Sequence, residues 1–307
     1  MKTQHNVALL CCVVASALVL AACGGGGGGG QGQQAPVVTA STVGPAKFSQ
    51  SLLITLQGSN LDSGIAVTST GCSGVALSVA PPNISTATTA YYRCTVTAIG
   101  AQQIVVARSS DGVQLAAVPY SVAVPQVTMA VSQGAAALGS LMITLAPQQA
   151  PLTVTNFLAY VNAGFYNGTV FHRVGRNASL QPWIIQGGGY AGPVSGVRPL
   201  PVPKATNLPI SLEVGRGLSN LRLTVAMART GQQNSATAEF FVNLIDNAFL
   251  DSSGGGYAVF GSIAAGAAVV DAMSAAPCSF WPDFFGLNSD DCLPLPNLTI
   301  TAAAQTS

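Results

Sequence analysis

Charged residues are scarce in this chain: Lys, Arg, Asp and Glu together make up 7% of its 307 residues, and the formal net charge is +1. Lys and Arg form no cluster anywhere along the sequence. Nucleic-acid binding requires a basic surface that neutralises phosphates, so this class of function is excluded. Hydrophobic residues reach 49%, enough for a substantial core, and the length exceeds that of one typical domain. We therefore expect two folded units together with non-globular segments.

Histidine is also scarce, because only His5 and His172 occur. No two cysteines have the Cys-x-x-Cys spacing that is typical of metal sites. A serine hydrolase needs a histidine base and a nucleophile elbow around its serine, and the sequence has no such elbow. We expect neither a metal nor a cofactor, and we exclude a hydrolase.

One long apolar run occurs, at residues 7–22. It is too short for a comfortable membrane span and has the dimensions of a signal-peptide core. The run ends in Leu20-Ala21-Ala22-Cys23, which resembles the lipobox of bacterial lipoproteins, where the cysteine is acylated and becomes the mature N-terminus. We predict a signal peptide over residues 1–22, lipidation of Cys23 and a flexible Gly/Gln-rich tether over 23–35. The alternative is ordinary secretion with Cys23 as an incidental thiol.

A lipid on Cys23 implies attachment to a membrane of the bacterial cell envelope, and we expect the outer membrane. The folded part then faces the periplasm or the cell surface. Four cysteines remain in this oxidising compartment: Cys72, Cys94, Cys278 and Cys292. Proximity in sequence favours one disulfide between the first two and one between the last two. Four free thiols are the alternative.

Residues 36–125 predict a small β-sandwich, because short β-branched or aromatic runs alternate there with turn residues. The strand-like runs are 52–56, 65–68, 91–96 and 104–107. The stretch 55–61 loosely resembles the entry of immunoglobulin-like envelope modules. This domain has no histidine and few acids, so we interpret it as a spacer or, alternatively, a binding module.

Residues 126–303 predict a second domain that is mainly β. A strand pair at 127–131 and 141–145 precedes Pro151, after which apolar residues recur with the helical spacing of three and four. The stripe consists of Val154, Phe157, Leu158 and Val161. A second helix is expected over 267–276, with Val269, Val270 and Met273 inward. Two helices among many strands favour a β-barrel capped by helices over alternating βαβ units.

Several motifs of this second domain occur in a fixed order. They are residues 162–174, with Phe171-His172-Arg173, then 185–189, 225–230, 239–243, 247–251 and 257–261. Together they resemble the cyclophilins, and most of all their bacterial periplasmic branch, over roughly 175 residues. The resemblance implies an eight-stranded β-barrel capped by two helices and peptidyl-prolyl cis/trans isomerase activity on proline-containing polypeptides of the envelope. We expect a monomer.

The resemblance also implies a set of site residues. Arg173 matches the catalytic arginine of the family, and Phe241, Ile184 and Leu250 match its proline pocket, with Trp183 where the family usually has Phe. Gln186 and Ala228 match positions that hold the substrate backbone. The other implied substrate contacts are Phe171, His172, Glu239, Phe249 and Tyr257. We expect His172 to be hydrogen-bonded and structural, because isomerisation needs no acid or base.

Two features depart from the family pattern. The stretch 175–185 is about five residues longer than the usual loop, which affects the alignment of Trp183. Glu239 stands where the family has Gln, and an ionised carboxylate accepts hydrogen bonds but donates none. We expect Glu239 to pair with Arg173 and compete for its donors. A cyclophilin-fold binding or scaffold lipoprotein with little or no turnover is therefore the alternative to an active isomerase.

Overall fold

The computed structural model describes residues 34–177, 179–192, 201–279 and 291–307. The predicted signal peptide and Cys23 lie outside the described residues. The chain divides into two compact units. The first contains the described residues up to Pro45 together with 51–95 and 102–120, and the second contains 46–50, 96–101 and 121–307. In the part of the chain that the model describes, no helix is long and apolar enough to cross a membrane.

The first unit consists of two small β-sheets, with strand orders β1-β2-β5-β4 and β3-β6-β7. Its strands are β1 Val37–Val43, β2 Ser51–Ser59, β3 Ile65–Ser69, β4 Cys72–Leu77, β5 Thr89–Val96, β6 Gly100–Arg108 and β7 Gln114–Val122. Alternate residues of β2 and β6 are fully buried, including Leu52, Ile54 and Ile104. This period-two burial is typical of sheets that face a shared core. A disulfide joins Cys72 to Cys94, linking β4 to β5.

The second unit has eleven strands in its described residues, and eight of them form a closed barrel. Its strands are β8 Gln126–Gln133, β9 Ala136–Leu145, β10 Thr169–Arg176, β11 Pro182–Ala191, β12 Val202–Pro203, β13 Thr224–Met227, β14 Phe240–Asn243, β15 Val259–Ala265, β16 Cys278–Ser279, β17 Leu293–Pro294 and β18 Leu298–Gln305. Antiparallel pairing follows the order β10-β18-β8-β9-β15-β13-β14-β11, and β11 pairs with β10 to close the barrel. Closure leaves no strand edge in the ring. The predicted barrel is confirmed.

Two helices complete this unit, α1 at Pro151–Asn162 and α2 at Ala267–Ser274. Pro151 occupies the first turn of α1, and the predicted apolar stripe of this helix is buried. In α2, Val270 and Met273 are buried, whereas Val269 is half-buried. The positions of both helices are thus confirmed, although α2 ends two residues before the predicted end.

Aromatic packing ties α1 to the barrel. The ring of Phe157 lies 4.9 Å from that of Phe260, 5.3 Å from that of Tyr166 and 5.6 Å from that of Phe240, measured between centroids. All four residues are fully buried. Tilted and edge-to-face rings at such distances add to the stabilisation from buried area. The cluster therefore fixes the inner side of β14, whose outer side carries Phe241.

Candidate active site

A β-bulge in β10 decides which side chains reach the site. Phe171 pairs with Gly187 of β11, whereas Arg173 pairs with Gln186, so His172 is the extra residue in β10. Consecutive strand residues point to opposite faces, and a bulge reverses that alternation. Phe171 therefore faces the barrel interior, fully buried with its ring 5.9 Å from that of Phe240. Arg173 faces outward.

A row of paired residues crosses four strands on this outward face. Gln186 of β11 is opposite Arg173 on one side and Phe241 of β14 on the other, and Phe241 is in turn opposite Ala226 of β13. Residues that are directly opposite in adjacent strands share a face and lie side by side. Strand register alone thus places a guanidinium, a carboxamide and an aromatic ring next to one another.

An apolar pocket continues from Phe241. The buried residues of the pocket are Ile184, Ala226, Ala228, Phe241, Leu250 and Val259, with Trp183, Leu218 and Tyr257 packed against them. The Tyr257 ring and that of Phe241 meet edge-on at 5.7 Å, and the guanidinium of Arg229 lies 4.4 Å from the centre of the Tyr257 ring. Phe249 is 57% exposed at the rim, 5.5 Å from the ring of Trp183. The pocket therefore has a rigid aromatic wall and an open mouth.

Buried asparagines hold the pocket walls together. Asn247 donates to the carbonyl of Trp183 and to the side chain of Asn243, and Asn243 donates to Asn220. Asn220 donates to Asp251 through both its backbone and its side chain, at 2.8 Å each. Burial raises the pKa of Asp251, but hydrogen bonds from Ser219 and Asn220 outweigh it and leave the pKa below its ordinary value. The network ties β11, β14 and the 3-10 turn Ala248–Asp251 to one another.

Arg173 is held by two hydrogen bonds. Its Nε donates to Oδ2 of Asp291 at 2.8 Å, and its Nη1 donates to Oε1 of Gln186 at 2.9 Å. A guanidinium has five N–H donors in a fixed fork, and the described residues place no acceptor on Nη2. The side chain remains 21% exposed. Arg173 is thus oriented by the protein and still has donors for a substrate.

Glu239 does not pair directly with Arg173, which corrects the prediction from sequence. Its Oε2 accepts from Nε2 of Gln186 at 2.7 Å and lies 3.4 Å from Nε2 of His172. Gln186 stands between the two charges because its carboxamide both donates to Glu239 and accepts from Arg173. The carboxylate that contacts Arg173 is Asp291, which is 1% exposed. Gly189 of β11 leaves room for the side chain of Glu239, since a Cβ at residue 189 would lie 2.5 Å from Cγ of Glu239.

Glu239 is an ionised group in this setting. Burial raises its pKa, but hydrogen bonds from His172 and Gln186 and the electrostatic influence of His172 and Arg173 outweigh burial and leave the pKa below its ordinary value. A carboxyl group with a lowered pKa is negative at neutral pH. The carboxylate therefore partly offsets the positive field of Arg173 on the outward face.

The structure brings most of the predicted residues to this face. Around Arg173 and the pocket it assembles Trp183, Ile184, Gln186, Ala228, Glu239, Phe241, Phe249, Leu250 and Tyr257. It does not bring Phe171 there, because the bulge turns that ring into the core. His172 was also predicted as a substrate contact, which is corrected here: it is 2% exposed, lies next to Glu239 and packs on Tyr190, the setting of a structural histidine.

The lengthened loop leaves the pocket intact. Arg176 pairs with Pro182 and Gly175 with Ile184, so Trp183 is the extra residue of a bulge in β11. Next to β10, Oδ1 of Asn177 accepts from the backbone N–H groups of Ser179 and Gln181. Trp183 packs against the pocket cluster.

Two residues near the site escaped the sequence reasoning. Asp291 lies far along the chain from Arg173, and only the prediction that Cys292 is cross-linked within the domain pointed to this region. Arg229 belongs to the motif 225–230, but the sequence gives it no role.

A further cavity of about 260 Å³ borders the pocket. Leu218 and Tyr257 line both the cavity and the pocket, and Glu213 and Arg216 are polar residues of the cavity lining.

Comparisons with known proteins agree with this geometry. Residues 127–301 match the family model of the cyclophilin type peptidyl-prolyl cis-trans isomerases. Peptidyl-prolyl cis-trans isomerase A of Dickeya dadantii is 46% identical over 138 residues, which cover 44% of this chain and 66% of that protein. Isomerase cyp18 of Streptomyces antibioticus is 46% identical over 140 residues, covering 44% of this chain and 77% of that protein. Isomerase B of Escherichia coli is 45% identical over 138 residues, covering 43% and 77%. The chain therefore belongs to the cyclophilin-type peptidyl-prolyl cis-trans isomerase family.

Proposed function

We propose that the second unit isomerises Xaa-Pro bonds in proline-containing polypeptides of the bacterial envelope, with Arg173 as its catalytic residue. The observation that carries this proposal is the row Arg173, Gln186 and Phe241, which strand pairing places side by side. It joins a cationic donor to an apolar pocket, the two groups that proline isomerisation requires. The family and its isomerase relatives support the same reaction.

The chemistry explains why an arginine is suited to this task. Rotation about an amide faces a barrier of about 18–20 kcal/mol, because the nitrogen must give up its conjugation with the carbonyl. As it does so, the prolyl nitrogen becomes a better hydrogen-bond acceptor, and a fixed charged donor then stabilises the twisted state more than either planar state. The guanidinium stays charged at all relevant pH values. No proton needs to be transferred.

The pocket supplies the second requirement, a grip on the proline ring. Phe241, Leu250 and Tyr257 offer an apolar surface that is rigid because the asparagine network fixes the elements that carry it. Apolar area removed from water contributes roughly 25 cal/mol per Å². With the ring held, the chain on the other side of the amide is free to rotate. Gln186 stands beside Arg173, where it can also contact the substrate backbone.

A protease-coupled isomerisation assay tests the proposal. The full chain, purified in detergent, should accelerate the cis to trans conversion of an Xaa-Pro peptide in proportion to enzyme concentration. The control is chain that has been unfolded in urea and added to the assay before it refolds. A folded chain that leaves the uncatalysed rate unchanged would overturn the proposal and favour a scaffold. The scaffold alternative is otherwise not favoured, because the relatives are isomerases and Arg173 retains donors for a substrate.

Glu239→Gln is expected to raise kcat/KM or leave it unchanged. The amide oxygen of Gln can still accept from Gln186, while the negative charge that offsets Arg173 disappears. The same assay measures the effect, with thermal unfolding as a check on folding. Asp271→Asn, which neutralises an exposed carboxylate on α2, is the matched control. A clear loss of activity in Glu239→Gln alone would mean that the carboxylate takes part in its own right.

We further propose that the mature protein is anchored to an envelope membrane, with the outer membrane favoured, through acyl chains on Cys23. The support is the sequence Leu20-Ala21-Ala22-Cys23 followed by the Gly-rich stretch. Stable attachment requires acyl chains or an equivalent apolar anchor. This location makes envelope polypeptides the clients, and the first unit then acts as a spacer between membrane and enzyme.

Cys23→Ser is expected to abolish incorporation of a labelled fatty acid and to leave an unprocessed precursor, because serine has no thiol for acylation. Labelling followed by gel electrophoresis of the wild-type and variant chains in a Gram-negative host measures both effects. Cys12→Ser is the matched control, since it removes a cysteine inside the apolar run and should label normally. Equal labelling of wild type and Cys23→Ser would refute the lipobox interpretation.

A further inference from the structure

The short segment 291–294, which begins with Asp291, is hydrogen-bonded through its backbone to β10, the strand that carries Arg173. Cys292 forms an isolated antiparallel bridge with Val174 of β10. The N–H of Val174 donates to the carbonyl of Cys292 at 2.8 Å, and the N–H of Cys292 donates to the carbonyl of Val174 at 3.1 Å. Val174 directly follows Arg173, so the bridge places Asp291 next to the guanidinium.

The carboxylate of Asp291 uses both oxygens on β10. Oδ2 accepts from Nε of Arg173 at 2.8 Å, and Oδ1 accepts from the backbone N–H of Arg176 at 3.2 Å. The second bond fixes the carboxylate, and the first fixes the plane of the guanidinium. Since Gln186 holds Nη1 at the same time, the fork of Arg173 is restrained at two of its three nitrogens.

A disulfide anchors the same segment. Cys278 of β16 is cross-linked to Cys292, which directly precedes β17. Strands β16 and β17 also pair with each other. The guanidinium of Arg176 lies against both sulfurs, with Nε 3.3 Å from Sγ of Cys292 and Nη2 3.7 Å from Sγ of Cys278. A cross-link removes conformations that a free segment would otherwise sample. The backbone bridge to Val174 and the disulfide to Cys278 therefore both hold this segment in place.

We propose that Asp291 is a positioning residue for Arg173, and that the Cys278–Cys292 disulfide keeps it in place; this rests on the proposed role of Arg173 in isomerisation. Asp291 is 1% exposed, so it acts through the orientation of the guanidinium rather than by contact with a substrate. A donor that is displaced by about 1 Å loses up to about 10²-fold in rate, so even a small loss of restraint is measurable. The site is therefore completed by a residue 118 positions along the chain from its arginine.

Asp291→Ala in the full chain is expected to lower kcat/KM for an Xaa-Pro peptide roughly tenfold, because the Arg173 fork loses one of its two restraints. Asp291→Asn keeps an oxygen acceptor for Nε and should retain most of the activity. Asp271→Ala is the matched control, since it removes an exposed carboxylate 2.6 Å from Arg222. Circular dichroism and thermal unfolding identify any variant that fails to fold, and Asp291→Asn keeps the proposal testable in that case.

A direct readout separates positioning from simple stabilisation. The ¹H–¹⁵N resonance of Arg173 Nε should shift and broaden in Asp291→Ala, and remain unchanged in Asp271→Ala. The double variant Cys278→Ser/Cys292→Ser should show the same shift in weaker form, with kcat/KM between wild type and Asp291→Ala. Adding Asp291→Ala to this double variant should then lower kcat/KM no further than Asp291→Ala alone.

A double-mutant cycle with Arg173→Ala distinguishes failure of the proposed function from failure of this inference. If Asp291 acts through the arginine, Asp291→Ala has no further effect on kcat/KM in the Arg173→Ala background. Full activity of Arg173→Ala itself would overturn the proposed function. Low activity of Arg173→Ala combined with normal activity and an unshifted Nε resonance in Asp291→Ala would overturn this inference alone.

Discussion

Arg173→Ala is expected to lower kcat/KM for an Xaa-Pro peptide by roughly 10²- to 10³-fold, because one donor aimed at developing charge is worth about 2.7–4 kcal/mol in comparable sites. The fork of Arg173 is already oriented by Asp291 and Gln186, so little reorganisation remains to be done during rotation. Arg173→Lys keeps the charge but loses the planar fork, and an intermediate activity is expected. The protease-coupled assay measures kcat/KM for the wild type, Arg173→Ala and Arg173→Lys.

Removing the arginine also leaves the 1% exposed Asp291 without its counter-charge, which affects folding as well as catalysis. The variant Arg173→Ala/Asp291→Asn avoids this, because it removes both charges together. It should be as inactive as Arg173→Ala and more stable. Arg222→Ala serves as the matched control, since it removes an exposed arginine paired with Asp271. Wild-type kcat/KM in both Arg173→Ala and Arg173→Ala/Asp291→Asn would exclude this residue from the reaction.

Much of the fold followed from local patterns in the sequence. Helix α1 was predictable because its buried stripe has helical spacing and Pro151 suits a first turn. The strand runs of the first unit were predictable from β-branched and aromatic residues, and β2, β3, β5 and β6 lie where those runs are. Two helices among many strands already favoured a β-barrel, but its eight strands came only from the family resemblance, because pairing of β10 with β11 and β18 depends on partners that local patterns do not reveal.

The site itself was only partly predictable, and the errors share a physical cause. Period-two alternation would put Phe171 and Arg173 on one face, and no residue type in this stretch signals the bulge at His172 that separates them. The expected pair of Glu239 with Arg173 was wrong because Gln186 can bond to both and occupies the space between them. Asp291 reaches Arg173 through one backbone bridge and a disulfide, which are long-range contacts. Each error concerns register or distance in space rather than residue chemistry.

The two faces of β14 link catalysis to stability. Phe240 points into the barrel, against Phe157 and Tyr166, and Phe241 points outward into the apolar pocket. A strand that is packed tightly on one side has little freedom on the other. The rigidity of the pocket therefore depends on an aromatic core that no substrate touches.

Phe157→Ala is expected to lower the free energy of unfolding of the second unit by about 3–5 kcal/mol, the usual cost of deleting a large buried ring. Phe157 is fully buried with three aromatic rings around it, so neighbouring side chains cannot collapse into the space without breaking other contacts. Urea unfolding followed by tryptophan fluorescence measures the effect, because both tryptophans of the chain lie after Ser121. Leu152→Ala is the matched control on the same helix: Leu152 is 53% exposed, and a change within about 0.5 kcal/mol is expected. At a temperature where the variant is still folded, kcat/KM should fall much less than in Arg173→Ala. Equal unfolding free energies for Phe157→Ala and Leu152→Ala would show that α1 is not packed on the barrel through this ring.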